Sequence, residues 1–379
     1  MPEQLTQELT ELRDRIEIFV EADLRPLEEQ LDAGTLDEAT VRQRVIERSR
    51  DLGFFGMTQP SEVGGTEAGP LALTVARETL AAGNLRITRS VFGPGPGILA
   101  RSEGLLRERY MEPLIRGEVR NAFAFTESSD GSARTSARRD GDDFIVNGRK
   151  SFVSGGSAAD FYSVLVNVEE GDGPGGPAML IVDHDAPGLT REDDFVSLDG
   201  GTHCAMNFDE MRVPQTHVIG EVGQGMPRAM GNIGRERLQI AAQASGTAMW
   251  VVEHTREHIS KPHRSGTSLG EREQVRAVFG QMMLETYAIR STLYRTARLA
   301  DDDVDIMNEG AIAKVFAAEA AGRVVDAAIQ LGGGEALIEG HPLERLYRVS
   351  RSWRLAGGSS DVLRFNIARG KLEFEAGRV

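Results

Sequence analysis

The sequence predicts an α+β protein in three parts: an N-terminal all-α domain over 1–119, a middle β-domain over 120–226, and a C-terminal four-helix bundle over 227–379. The middle part is expected to be a small barrel or sandwich. Three observations predict this order. Apolar residues recur at three- and four-residue steps towards both ends. Short apolar runs punctuated by Gly and Asp fill the middle. A length of 379 residues exceeds one ordinary domain.

Taken in order, Leu9, Leu12, Ile16 and Phe19 make one amphipathic stripe with charged residues between them. Further helical patterns run through 38–51, 70–82 and 103–116. The stretch Phe92-Gly93-Pro94-Gly95-Pro96-Gly97 reads as a hinge, with a helix restarting after it. It has neither the preceding strand nor the spacing of a dinucleotide fingerprint. From about 120 the texture changes. Asn121 to Thr126 alternates, Asp143 to Gly148 predicts a strand running into a turn, and 161–166 and 178–182 are short apolar runs. The polar loop 169–176 predicts a hairpin connection, and the β-texture ends near Val213-Pro214. Helical patterns return over 227–259, 271–300, 306–331 and 360–375, enough for a four-helix bundle.

Composition narrows the function. Hydrophobic residues are 40% and charged residues 27%, ordinary for a folded domain. A net charge of −15, from 58 acidic against 43 basic residues, argues against nonspecific binding of nucleic acid or anionic membranes. No run approaches the roughly 20 apolar residues of a membrane helix. Met1-Pro2-Glu3-Gln4-Leu5 opens with no secretory signal pattern. The single Cys204 allows no disulfide within the chain, and seven scattered His show no zinc spacing. A reducing cytoplasm and a metal-free site are therefore expected.

Three polar regions stand out. Thr126 to Ser132 is a hydroxyl-rich loop after a strand, and Lys150 to Gly156 carries an aromatic and two hydroxyls into a Gly pair. The third comprises Gln330-Leu331-Gly332-Gly333-Gly334 and Ala356-Gly357-Gly358-Ser359-Ser360-Asp361. Gly runs before a helix admit close approach of a ligand and expose N–H groups suited to phosphates. On local composition alone each region is a surface turn or a helix cap. By the same standard Phe152 is a core aromatic, and Glu236, between two Arg, is an exposed helix charge.

In order along the whole chain, however, these segments resemble the acyl-CoA dehydrogenase family. Asp51 to Gly56 with Gly64-Gly65 resembles its "GLxG…EYGG" stretch, and 122–132 its "TEPxAGS" strand and loop. Asn147 to Gly156 is similar to "NGxKxWITNG", and Asn207 to Pro214 with Gly220-Glu221 to "FDDVRVP…LLGE". Gln330 to Gly334 with Glu344 to Arg348 resembles "QxxGGxGY…ERxYRD", and 356–369 resembles "EGTSEIxRxxIAR".

The resemblance implies FAD as cofactor. The Phe125 backbone and Thr126 would line the flavin's pyrimidine side. Phe152, where the family usually has Trp, would flank the isoalloxazine. Ser154, where it usually has Thr, would lie near flavin N5. Gln330, Gly333 and Gly334 would meet the adenosine and pyrophosphate of a neighbouring subunit's FAD, and Ser359 and Asp361 would close over the diphosphate side. The family's "RxxFG" stretch is degraded to His263-Arg264-Ser265-Gly266-Thr267, leaving Arg264 as its pyrophosphate ligand. Ser132, Arg237 and Gly358 would contact substrate.

The resemblance also implies an oxidoreductase that withdraws an α-proton and a β-hydride from an acyl thioester. Most of the family places the base, a Glu, where this chain has Gly357. Glu236 matches the helical position from which isovaleryl- and long-chain-type members supply it, and those members also have Gly at the vacated position. The Glu236 backbone N–H is expected to polarise the thioester carbonyl together with a flavin ribityl hydroxyl. Expected partners are acyl-CoA or an acyl carrier protein as substrate carrier, an electron-transfer flavoprotein or another acceptor, and further copies of the chain in a homo-oligomer, a dimer or a homotetramer built as a dimer of dimers. Two other readings stay open: a flavin-binding partner subunit without activity, and a carrier-protein acyl dehydrogenase or flavin oxygenase on the same fold.

Overall fold

Thr6 accepts a hydrogen bond from the Leu9 backbone N–H and starts α1 (Gln7–Phe19), whose stripe buries Ile16 and Phe19. This computed structural model describes residues 5–129, 134–171, 173–263 and 266–378, apart from the side chains of Gly231, Asn232 and Arg235. A wide turn, Val20–Leu24, leads to α2 (Arg25–Asp32). Asp37 caps α3 (Glu38–Asp51) through the Thr40 N–H at 2.7 Å, and Pro70 opens α4 (Pro70–Ala82). These helices share a core of Ile16, Phe19, Leu24, Val41, Val45, Phe54 and Leu80.

The described residues group into two compact units. The first holds 1–57, 67–92 and 234–379, so the N-terminal helices belong with the C-terminal ones. The latter are α5 (Gly225–Ser260, from residue 234 in this unit), α6 (Glu273–Asp301), α7 (Met307–Gly332), α8 (Pro342–Trp353) and α9 (Ser360–Phe374). The sequence pattern gave four of these helices; α8, an amphipathic segment around Leu343 and Leu346, is the fifth. Their core is rich in alanine, with Ala241, Ala244, Ala248, Ala317, Ala318 and Ala321 all buried, which lets the helix backbones approach closely. At Gly246 a side chain would place its Cβ 2.1 Å from the Glu78 carbonyl oxygen, so only glycine allows α5 to meet α4 there. Beside it the buried Glu78 carboxylate accepts from Ser245 Oγ at 2.5 Å, Tyr294 Oη at 2.7 Å and the Arg290 guanidinium at 3.1 Å. A buried carboxylate satisfied this fully ties α4, α5 and α6 into one arrangement.

The second unit holds 58–66 and 93–233. Its frame is one eight-stranded mixed sheet. The strands are β1 (Asn121–Ala124), β2 (Ser136–Asp140), β3 (Asp143–Ser154), β4 (Phe161–Val168), β5 (Gly176–Asp183), β6 (Leu189–Arg191), β7 (Phe195–Val196) and β8 (Thr202–Pro214). They run in the order β1-β4-β2-β3-β8-β6, with β5 on β4 and β7 on β8. β4 and β5 form the expected hairpin. Gly148 does not end its strand in a turn: β3 continues six residues further, along β8. At φ +137° Gly148 lies where a Cβ would come 2.5 Å from the Thr135 Cα, so it serves a close approach of backbones. After the Phe92–Gly97 stretch comes one helical turn, Gly97–Leu99, and then the helix expected over 103–116, continuous from Gly104 to Arg116 with a wide turn at Arg107–Met111. Leu106, Tyr110, Leu114 and Ile115 from that helix pack with Phe161, Leu165, Met179 and Ile181 of the sheet. Among the described residues no helix is long and apolar enough to cross a membrane, and no cluster of His, Cys, Asp or Glu could hold a metal ion.

Candidate active site

In the second unit the candidate residues gather where β3 is irregular. Its register against β8 shifts between Val146 and Gly148 and again between Lys150 and Val153. The second bulge puts Phe152 at φ +53°, a region that bulky residues rarely occupy. The result is a large aromatic that is 59% exposed while its neighbour Val153 is buried. A strained backbone that presents an apolar ring outward points to a ligand face. Phe195 meets that ring edge-on at 5.2 Å between centroids, and His203 packs against both at 6.0 and 5.6 Å. Ser154, two residues on, is exposed on the same segment.

Lys150 connects this segment to Phe125 and Thr126. Its side chain is fully buried and donates to the Phe125 carbonyl at 3.2 Å and to Glu127 Oε1 at 2.6 Å. Glu127 Oε2 in turn accepts from the Thr135 hydroxyl at 2.8 Å. The Ser151 N–H donates to the Thr126 carbonyl at 2.9 Å. Burial holds the Lys150 pKa below its ordinary value and the Glu127 carboxylate opposes that shift. Bonds from Lys150 and Ser151 thus tie Phe125 and Thr126 to the strand that carries Phe152 and Ser154. Ser132 and Arg264 lie outside the described residues.

In the first unit Glu236 and Arg237 sit on α5, and the turn Gly357–Gly358 precedes α9. Arg237 is buried, and its Nε donates to the Gly357 carbonyl at 3.3 Å. Lys314 of α7, fully buried, donates from Nζ to the Gly358 carbonyl at 2.7 Å. Two cations thus grip successive carbonyls of a turn whose glycines have φ +64° and +104°. Burial, then repulsion from Arg237, brings the Lys314 pKa down to about 8, against the pull of Glu319. Burial also lowers Arg237, with Glu236 opposing. A Cβ at Gly357 would lie 3.8 Å from Arg237 Cγ, so the two alternative base positions are neighbours. Solvent reaches the Glu236 carboxylate, yet enough protein surrounds it that desolvation raises its pKa, with Arg237 opposing.

One expectation is corrected here. Glu236 lies inside α5, where a backbone N–H bonds to the carbonyl four residues earlier, so it is not free to polarise a thioester. The N–H groups of Gly357 and Gly358 donate to no backbone carbonyl among the described residues.

Ser359 caps α9 by accepting from the Val362 N–H at 3.3 Å. Asp361 is almost fully exposed and pairs with Arg364 at 3.3 Å. Gln330 is exposed near the end of α7, which Gly333 terminates at φ +70°, and Gly334 follows it in the open. Lys314 and His203 were not singled out from the sequence. Lys314 had a visible signal, a lone Lys in an otherwise apolar helical run; His203 had none.

Models of the N-terminal, middle and C-terminal domains of acyl-CoA dehydrogenase match residues 6–118, 122–211 and 223–372. The chain belongs to the acyl-CoA dehydrogenase family. It is similar to the 3-(aryl)acrylate reductase of Clostridium sporogenes, at 28% identity over 94% of this chain and 96% of that one. It is also similar to the cyclohexane-1-carbonyl-CoA dehydrogenase of Geobacter metallireducens, at 30% over 84% and 86%. The crystal structure of acyl-CoA dehydrogenase from Geobacillus kaustophilus has the same fold, with a TM-score of 0.81 over 97% of this chain and 98% of that one, at 24% identity. Acyl-CoA dehydrogenases are oxidoreductases, and FAD is the cofactor. The residues present fit it. Phe152 offers an exposed aromatic face, Gly333 and Gly334 are open to close approach, and the buried Ser360 Oγ at the start of α9 has no hydrogen-bond partner among the described residues.

Proposed function

We propose that this acyl-CoA dehydrogenase oxidises the α,β-bond of an acyl thioester, with Glu236 taking the α-proton. The observation that carries the reading is that Arg237, next to Glu236 on α5, donates to the Gly357 carbonyl of the turn where the alternative base is absent. FAD, when bound, supplies the two-electron acceptor for the β-hydride. Phe125, Thr126, Phe152 and Ser154 would hold its ring, Ser359 would border its diphosphate, and the Gln330–Gly334 segment and Asp361 would complete its binding from a neighbouring copy or its rim.

The raised pKa of Glu236 makes it a better proton acceptor than an ordinary carboxylate once ionised. The Gly357 N–H is assigned to the thioester oxygen, where negative charge develops as the α-proton leaves. Arg237 and Lys314 hold that turn from behind and keep its carbonyls away from the developing charge. The acceptor of the electrons is taken to be a separate flavoprotein, and the setting a reducing cytoplasm, in keeping with the buried thiol of Cys204.

Anaerobic mixing of FAD-loaded protein with a panel of acyl-CoAs of different length and branching tests the proposal. At least one should bleach the oxidised-flavin absorbance and yield the enoyl thioester. Bound flavin that no acyl thioester bleaches, free or on a carrier protein, would leave a binding subunit without activity.

A further inference from the structure

Ser154 does not stand alone on its strand. Its register partner across the β3–β8 pair is His203, and Ser154 Oγ lies 2.9 Å from His203 Nδ1. On the other side of the ring His203 Nε2 lies 3.0 Å from Ser197 Oγ. Ser197 donates its one hydroxyl proton to the Asp199 carboxylate, so towards His203 it can only accept. Nε2 must then carry the ring proton, which makes Nδ1 of the neutral imidazole an acceptor. The proton of Ser154 therefore points at His203, and the lone pairs of its oxygen point away. Phe195 stacks on the ring at 29° and Phe152 closes on it at 62°, so the imidazole has little freedom to turn.

We propose that His203 is a positioning residue for the cofactor: it fixes Ser154 as a hydrogen-bond acceptor, which suits a flavin whose N5 carries a proton and does not suit one whose N5 is bare. The inference rests on the placement of Ser154 near flavin N5 in the proposed function. N5 bears hydrogen only in the reduced flavin, so the Asp199–Ser197–His203–Ser154 chain favours reduction and raises the potential of the bound cofactor. Loss of one neutral hydrogen bond should change the reduction equilibrium about fivefold.

The first arm uses flavin-free protein at pH 8. Nitrogen-15 spectra of the imidazoles, with His203 assigned by its loss in His203→Phe, should show the Nε2–H form, and Ser154→Ala should move the Nδ1 resonance. An Nδ1–H form overturns the proposal. The second arm measures the midpoint potential of bound FAD. His203→Phe keeps the aromatic packing and removes both nitrogens, and it should lower the potential by about 20 mV, the two-electron equivalent of fivefold. His203→Asn, whose amide oxygen can accept from Ser154, should recover most of this. In a Ser154→Ala background His203→Phe should have no further effect. An equal shift in both backgrounds, or none in either, overturns the proposal. Wild-type protein that binds no FAD refutes the functional reading, and the first arm then still decides whether His203 orders Ser154.

Discussion

A carboxylate can serve as base only while ionised, and the surroundings that make Glu236 basic also make its ionisation costly. Desolvation raises its pKa in the folded chain above the ordinary value of 4.5. A carboxyl raised on folding contributes stability that is present below its unfolded pKa and is lost as pH rises through the folded one. Above its folded pKa the ionised Glu236 therefore burdens the fold, a strain commonly found at active sites. Glu236→Gln removes the titration and keeps the shape. It should melt at the same temperature or higher at pH 7.5, bind FAD, and reduce its flavin about 10²–10⁴-fold more slowly with the best acyl-CoA. In the parent the rate should rise with pH through the raised pKa, and in the variant that limb should vanish. Flavin reduction by Glu236→Gln at the parental rate would refute the assignment. Moving the carboxylate to Gly357 in that variant should recover little, because φ there is +64° and a Cβ would press on Ile240 Cδ1 at 3.1 Å.

At the scale of elements, the edge of the sheet depends on one buried cation. Lys150 holds the Phe125 carbonyl and Glu127 against β3, and Glu127 holds Thr135 at the start of β2. Lys150→Met fills the same space but leaves the carbonyl unsatisfied and the carboxylate unpaired. Urea unfolding should show a loss of about 1–3 kcal/mol, and FAD titration a weaker affinity, because the Phe125–Thr126 segment loses its anchor. Unchanged affinity would detach Lys150 from the flavin patch. This strut also explains what the sequence could and could not reveal. Long amphipathic helices and the apolar strands β4 and β5 were legible because their own periodicity decides them. β2, Ser-Ala-Arg-Arg-Asp, has no apolar pattern and exists because β3 and β4 flank it. Gly148 reads as a turn by local preference, yet here it admits a neighbouring strand. Phe152 was legible as a candidate flavin contact only through the family motif, since nothing local distinguishes an exposed aromatic from a core one. His203 was not legible at all, because its meeting with Ser154 depends on a bulge between Lys150 and Val153 that only the paired strands define.

For the whole molecule, the length of α7 sets the decisive constraint. Lys314 near its start touches Gly358, whereas Gln330 lies sixteen residues further on, about 24 Å along the axis at 1.5 Å per residue. Both ends belong to expected cofactor or substrate contacts, so one α7 is better placed to serve two active sites than one. The first unit also leaves large apolar side chains uncovered: Leu284, at 66% exposed, with Met283 and Tyr287 on α6, and Leu372, at 84%, with Phe365 and Phe374 on or at the end of α9. Apolar groups clustered in this way mark surfaces that other chains cover. We therefore expect a homotetramer in which the Gln330–Gly334 segment completes a neighbour's FAD site. Light scattering on eluted protein should give four chains. Leu372→Glu with Phe374→Glu, at positions exposed enough to leave the fold of one chain intact, should give smaller species that release FAD as they form. Restoring the flavin with excess FAD should pull those species back together, because a ligand bound only by the assembly stabilises it. A monomer that keeps FAD as tightly as the parent would refute the neighbour's role of Gln330, Gly333 and Gly334.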